Sequence, residues 1–236
     1  MAAARTIETM ELVLVRHGEP EWVREGLNVD DPPLTERGHR QAEAMAVELA
    51  KERFDEVLCS PLTRARQTAA PLLAHLDKAE AVEQWLEEIR NPLWHGTPAE
   101  KAEEAFKEER RRVAEDRWRG LDELGGEPVR DFVDRMRLGC QLFLSERGVE
   151  RVPGELPVWQ IENPEQRIAL VAHAGTNSVV ICHLLGLSPT PWEWERFVLR
   201  HASISRLQSL PLGNGFTFSL TRLSGDEHLA VDDRTV

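Results

Sequence analysis

Three short stretches of this chain read as buried strands: ELVLV at 11–15, FDEVL at 54–58 and RIALVA at 167–172. The third lacks the polar alternation of a strand with one wet face, so it predicts a strand covered on both sides. Each is followed by a helix signal. Thr35 can cap a helix on which Ala42, Met45, Ala46 and Leu49 recur at helical spacing. Ser60-Pro61 reads as N-cap and first helical residue of a second, burying Leu62, Ala65, Ala69, Leu72, Leu73 and Leu76. A third covers 176–185, after Gly175. Strands that alternate with helices predict an α/β fold: three αβα layers around a mostly parallel central sheet.

The rest of the chain is less constrained. Residues 79–85 read as a further strand. From 97 to 120 the composition turns to Ala, Glu, Lys and Arg and predicts an exposed helix. A helix over 128–147 carries Val129, Phe132, Val133, Met136, Cys140 and Phe143 on one face. Residues 152–166 are Pro-rich and irregular, and 203–210 with 216–223 flank Gly213-Asn214-Gly215 as a closing hairpin. The expectation is a single domain over 1–236, with a helical insertion at about 97–148 lying over the site.

The chain has 236 residues and a formal net charge of -12. An acidic surface repels nucleic acid and anionic lipid, so neither is an expected partner. No apolar run reaches the length of a membrane span, and the amino-terminus lacks the apolar core of a signal peptide. Cys59, Cys140 and Cys182 are odd in number and far apart; reduced core thiols in a cytoplasmic protein are the expected state. A basic cluster inside such a protein therefore needs a local reason.

That cluster stands where open α/β sheets bind ligands, beyond the carboxyl ends of the strands. The first strand runs into Arg16-His17. The second runs into SPLTR, with Arg64 in the first helical turn, where a cation opposes the helix dipole. The third runs into His173-Ala174-Gly175. Arginine cannot shed its charge, and burying it unpaired is costly. Two arginines and two histidines converging on one cleft demand an anion, and guanidinium forks with helix-start amides suit phosphate.

These residues carry a resemblance. RHGE at 16–19, PLTERG at 33–38 with Gln41-Ala42, SPLTRARQTA at 60–69, Leu86-x-Glu88-Ile89 with Trp94-x-Gly96, Gly126-Glu127, VAHAGT at 171–176 and Ala202-Ser203-Ile204 are similar, in order, to blocks of the histidine phosphatase superfamily. That superfamily includes the cofactor-dependent phosphoglycerate mutases, and the resemblance spans about 11–223. It implies that His17 attacks phosphorus as a neutral imidazole, its other nitrogen held by a backbone carbonyl, and forms a phosphohistidine. Arg16, Arg64, a protonated His173 and Ala174 would hold the phosphoryl oxygens. Glu88 would be the general acid and then the base, its pKa raised by the phosphate beside it. Glu87 is the rival, and the spacing to Trp94-x-Gly96 selects Glu88. Glu19, Asn28 and His201 are possible substrate contacts. No metal and no cofactor are implied.

The sequence also departs from the family. Pro20 stands where Ser or Thr is common, Val23 and His201 where Asn is common, and Pro92 where Gly is common. The first two weaken the case for sugar-phosphate mutase chemistry. The reading is therefore a histidine acid-type phosphatase, a phosphoric monoester hydrolase acting on a small phosphorylated metabolite, as monomer or homodimer. A phosphoglycerate mutase is the first alternative and a non-catalytic phospholigand-binding protein the second. The run Glu109-Arg110-Arg111-Arg112 reads as a solvated helix face ahead of a substrate-specificity patch over the cleft, Arg66 as a structural or surface charge, and Trp192 and Trp194 as packing ahead of ligand stacking. His39, His75, His95, His183 and His228 have no ligand-like spacing.

Overall fold

The computed structural model describes residues 9–236; most of the stretch read for a signal peptide lies outside them. In chain order the elements are β1 (Glu11–Arg16), β2 (Val23–Arg24), β3 (Leu27–Asn28), α1 (Glu36–Leu49), β4 (Glu56–Cys59), α2 (Thr63–His75), α3 (Ala99–Arg110), α4 (Val129–Ser145), β5 (Val149–Arg151), β6 (Trp159–Ile161), β7 (Arg167–Ala172), α5 (Ala174–Leu185), α6 (Glu193–Arg196), β8 (Ile204–Leu212) and β9 (Gly215–Gly225). Seven strands form one sheet in the order β4-β7-β1-β8-β9-β6-β5, and β2 pairs with β3 as a separate ribbon.

The period-two alternation of the central strands builds the three layers. Leu12, Leu14, Ile168 and Leu170 face one core with Phe132 and Met136 of α4 and Val180 and Leu184 of α5. Val13, Val15, Ala169 and Val171 face the other with Met45 and Leu49 of α1 and Leu72 of α2. Neither face meets water, which is why residues 12–15 and 168–172 include no polar side chain. The sheet is parallel where β4, β7 and β1 meet and antiparallel from β8 outward. The expectation of a mostly parallel sheet thus holds for the strands with helical crossovers; the closing hairpin and the Trp159 region add antiparallel strands.

Four local readings change. Residues 79–85 do not form a strand: a single bridge joins Val82 to Cys59, and Gln84–Leu86 turns into a 3-10 helix. The helix expected over 97–120 ends at Arg110, and a 3-10 turn, Asp116–Arg119, follows. The stretch 97–148 is not one insertion over the site. Its second half, α4, buries Val129, Phe132, Val133, Met136, Cys140, Phe143 and Leu144 in the main core, at about 2 kcal/mol for each large side chain. α3, the turns after it and Val129 at the start of α4 reach the cleft. Within the irregular stretch, β6 seats Trp159, which is 1% exposed. Among the described residues no helix is long and apolar enough to cross a membrane. Cys59, Cys140 and Cys182 are free and buried.

Candidate active site

β1, β7 and β4 end nearly level, with Arg16 paired to Ala172 and Cys59 to Val171. Arg16-His17, Ser60 and His173 therefore emerge along one edge. The loop after β1 is braced by residues of the two following helices. The Gly18 N–H donates to Thr68 Oγ1 at 2.9 Å, and the Glu19 N–H to Gln41 Oε1 at 2.7 Å. A Cβ on Gly18 would lie 2.6 Å from the Gly38 carbonyl oxygen, and one on Gly38 would lie 2.2 Å from that of Glu19. Two backbones in contact leave room for no side chain at either position, which accounts for both glycines.

His17 is 4% exposed. Its Nδ1 lies 2.7 Å from the Gly18 carbonyl oxygen. A carbonyl only accepts, so Nδ1 carries the hydrogen and Nε2 keeps its lone pair. Burial, then neighbouring groups led by the Arg64 charge, hold its pKa well below the usual histidine value. The ring is a neutral imidazole with its free nitrogen in a cationic pocket.

Arg64 is 3% exposed. Its neighbours are a carboxylate oxygen of Asp31 at 3.7 Å and the Trp22 ring, 4.8 Å from centroid to guanidinium carbon. Arg16 donates to the Leu199 carbonyl and, through a terminal nitrogen, approaches His201 Nε2 at 2.9 Å. Burial lowers the pKa of both arginines, that of Arg16 to about 10. The Nε of each is buried without a hydrogen-bond partner, as is His173 Nδ1. Orphaned donors of two cations around one imidazole match what a tetrahedral oxyanion needs. Ala174 completes the floor as the first residue of α5, where an amide has no acceptor within the helix.

One expectation changes here. Ser60 does not cap α2; Leu62 holds that position without a side-chain bond, and Ser60 Oγ lies 2.7 Å from His173 Nε2. Burial, then Arg64 and Arg16, push the pKa of His173 well below the usual value, because both neighbours are cations.

Glu88 faces this floor from the loop after Gln84–Leu86. Its Oε2 accepts the Gly175 N–H at 2.9 Å and its Oε1 the Ile89 N–H at 2.9 Å. A Cβ on Gly175 would lie 2.5 Å from Glu88 Oε1, so glycine there makes room for the carboxylate. Burial raises the Glu88 pKa even without phosphate, against the two amides and Arg64 that lower it. Glu87 points elsewhere and pairs with Arg90 at 2.7 Å. Arg135 of α4 clamps the loop, donating to the carbonyls of Glu87 at 2.8 Å and Glu88 at 2.9 Å while paired with Glu127 at 2.6 Å.

A family model, "Histidine phosphatase superfamily (branch 1)", matches residues 12–216. The chain belongs to this superfamily. A phosphoserine phosphatase of Hydrogenobacter thermophilus is 29% identical over 180 residues, covering 75% of this chain and 77% of the relative. An adenosylcobalamin/alpha-ribazole phosphatase of Salmonella typhimurium is 32% identical over 178 residues, covering 75% and 80%. A mycobacterial glucosyl-3-phosphoglycerate phosphatase solved with inorganic phosphate superposes with a TM-score of 0.66 at 25% identity, covering 93% of this chain and 99% of that one.

Not every residue expected in the cleft is there. Glu19 turns to α1, accepting from Thr35 Oγ1 at 3.0 Å and pairing with Arg37 at 3.1 Å. Asn28 borders an adjoining lobe, but its amide is spent on the Pro98 carbonyl at 2.8 Å, which ties the β2–β3 ribbon to the start of α3. His201 sits behind Arg16 with its ring 5.7 Å from that of His17. Burial lowers its pKa to about 3, so the neutral ring accepts from Arg16 at Nε2 and donates to Thr235 Oγ1 from Nδ1 at 2.9 Å.

Other residues joined the site without a local signal. Trp22, Asp31 and Arg135 reach it only through tertiary contact. Glu109 is no solvated charge: it is 7% exposed, pairs with Arg117 at 3.0 Å and lines the cleft, with Arg110 at the rim. Trp194, read as packing ahead of ligand stacking, packs against Phe132 and also lines the cleft. Arg66 is the surface charge expected, paired with Glu80 at 2.7 Å.

Proposed function

We propose that the protein is a phosphatase that hydrolyses phosphomonoesters of metabolite-sized alcohols through a phosphohistidine on His17, with no metal ion. The observation that carries this reading is His17 itself: Nδ1–H engaged by Gly18, Nε2 bare, and two arginines with unpartnered Nε atoms beside it. Nε2 attacks phosphorus, the P–N bond forms and the P–O bond to the alcohol breaks. Arg16, Arg64, His173 and the Ala174 amide hold the equatorial oxygens and stabilise the charge spread over them. An anion there also restores the cationic form of His173, which the free site disfavours. Glu88, its pKa raised by burial, gives a proton to the departing alkoxide. It then takes a proton from the water that attacks the phosphohistidine, releasing inorganic phosphate and neutral His17. The phosphatase relatives support the hydrolytic direction, and buried free thiols suit a reducing, cytoplasmic setting.

The test is turnover of an aryl phosphate with excess chelator, wild type against His17→Ala. Chelator-resistant turnover that His17→Ala lowers by about 10⁴-fold or more is expected for loss of a nucleophile. Undiminished turnover by His17→Ala would contradict the reading.

A further inference from the structure

The floor recognises phosphate; the walls above it must recognise the alcohol. A cavity of about 450 Å³ opens directly on Arg16, His17, Arg64 and Glu88. This is ample for a drug-sized ligand and large for an amino acid. Its walls are Ile89, Phe106, Leu121, Val129, Trp194 and Val198. They come from four separate parts of the chain: the Glu88 loop, α3 with the turns after it, α4, and α6 with the segment after it. Leu121 and Val129 are buried at 7% and 1% exposure, yet both line the cavity. Their apolar surface is built into the fold and turned towards the ligand.

The charged residues of these walls are already neutralised. Glu109 and Glu195 share Arg117 at 3.0 and 2.8 Å. Glu127 is held by Arg135 at 2.6 Å, and Arg90 by Glu87 at 2.7 Å. Arg110 stands at the rim and is exposed to water. Beyond the phosphate floor, among the described residues, no wall side-chain carboxylate is left unpaired to receive an ammonium group, and no buried wall side-chain cation to receive a carboxylate. A zwitterionic alcohol such as phosphoserine would give up its hydration against apolar surface without compensation.

We infer that this cleft selects phosphomonoesters whose alcohol carries an uncharged apolar body, aromatic or branched aliphatic, over those of charged small alcohols. The inference rests on the phosphatase reading and names the substrate class of the same site. It differs from the substrate in the name of the Hydrogenobacter relative, a phosphoserine phosphatase.

The experiment compares kcat/KM for n-propyl phosphate, 3-phenylpropyl phosphate and O-phosphoserine. All three leave as primary alkoxides, so the comparison reads the walls more than the leaving group. Expected is 3-phenylpropyl phosphate above n-propyl phosphate by at least about tenfold, with O-phosphoserine lowest. Phe106→Glu should erase that advantage. Val198→Glu, at a position 56% exposed and therefore tolerant of charge, should cut it several-fold. O-phosphoserine equal to or better than 3-phenylpropyl phosphate, with n-propyl phosphate turned over and lost in His17→Ala, overturns the inference and leaves the phosphatase reading intact. No turnover of any of the three or of an aryl phosphate overturns both.

Discussion

Two pairs of arginines serve the same cleft, one in its floor and one behind its walls, and are used in opposite ways. Arg64 and Arg117 are almost equally buried, at 3% and 8% exposure. Arg117, behind the wall, is matched by Glu109 and Glu195, and these bonds raise its pKa. Arg135 is likewise matched by Glu127. Arg64, in the floor, has a distant Asp31 and an aromatic face, and its pKa falls, as does that of Arg16. A buried ion pair completes a structure, whereas a buried cation with a bare donor anticipates a ligand. The floor is therefore held short of its own electrostatic optimum, and the walls are not.

The largest effect should come from removing a floor arginine. Arg64→Met is expected to lower kcat/KM by about 10³-fold, as for loss of one preorganised donor to a transition-state oxyanion. The free protein should be as stable as wild type or about 1 kcal/mol more so, because an uncompensated charge has gone. Steady-state kinetics with denaturant melts checks both, and a strongly destabilised Arg64→Met would show that Arg64 is structural.

Arg117→Met reverses the pattern. It leaves Glu109 buried without its partner, so a loss of about 3 kcal/mol is expected, with turnover of n-propyl phosphate within a few-fold of wild type. Stability unaffected by this change would remove the contrast between the two pairs.

That contrast bears on how much the sequence alone conveys. Arg16, His17, Arg64 and His173 were legible because each ends a strand or starts a helix, so a local pattern already fixes where its Cα goes. Glu88 was legible through spacing, and Gly175 supplies the reason, since only glycine leaves its carboxylate room. Arg135 and Asp31 were not legible: each comes from an element chosen by tertiary packing. Glu109 was misread because three arginines follow it, and a charge run looks solvated until Arg117 is brought against it. The strand expected at 79–85 failed for a related reason. β4 is the edge of the sheet, and the chain beside it makes one bridge before turning to deliver Glu88. Glu19 and His201 lie near the nucleophile in sequence or space, but a capping threonine and Arg16 claim their polar atoms first.

A smaller effect concerns pH. His17 and His173 have pKa values well below the usual 6.5, and those of His201 and His183 fall to about 3 and 4. Such groups bind more protons when unfolded, so their stability is present above pH 6.5 and is lost as pH falls towards the folded values. Each can cost up to about 1.4 kcal/mol per pH unit in that window. The melting temperature should fall between pH 7 and 5, and less steeply in sulfate, which restores charged His173. An equal slope with and without sulfate would mean that the floor does not hold the anion.

The central claim is that the bare Nε2 of His17 takes the phosphoryl group. The measurement that meets it most directly is rapid acid-free quenching during turnover, with intact mass and peptide mapping of the protein. The account predicts one phosphoryl group on His17, absent in His17→Ala and more abundant in Glu88→Gln with an aryl phosphate, whose good leaving group needs the acid less than the attacking water needs the base. Sustained turnover with no phosphoenzyme, or with the label on another residue, would contradict it.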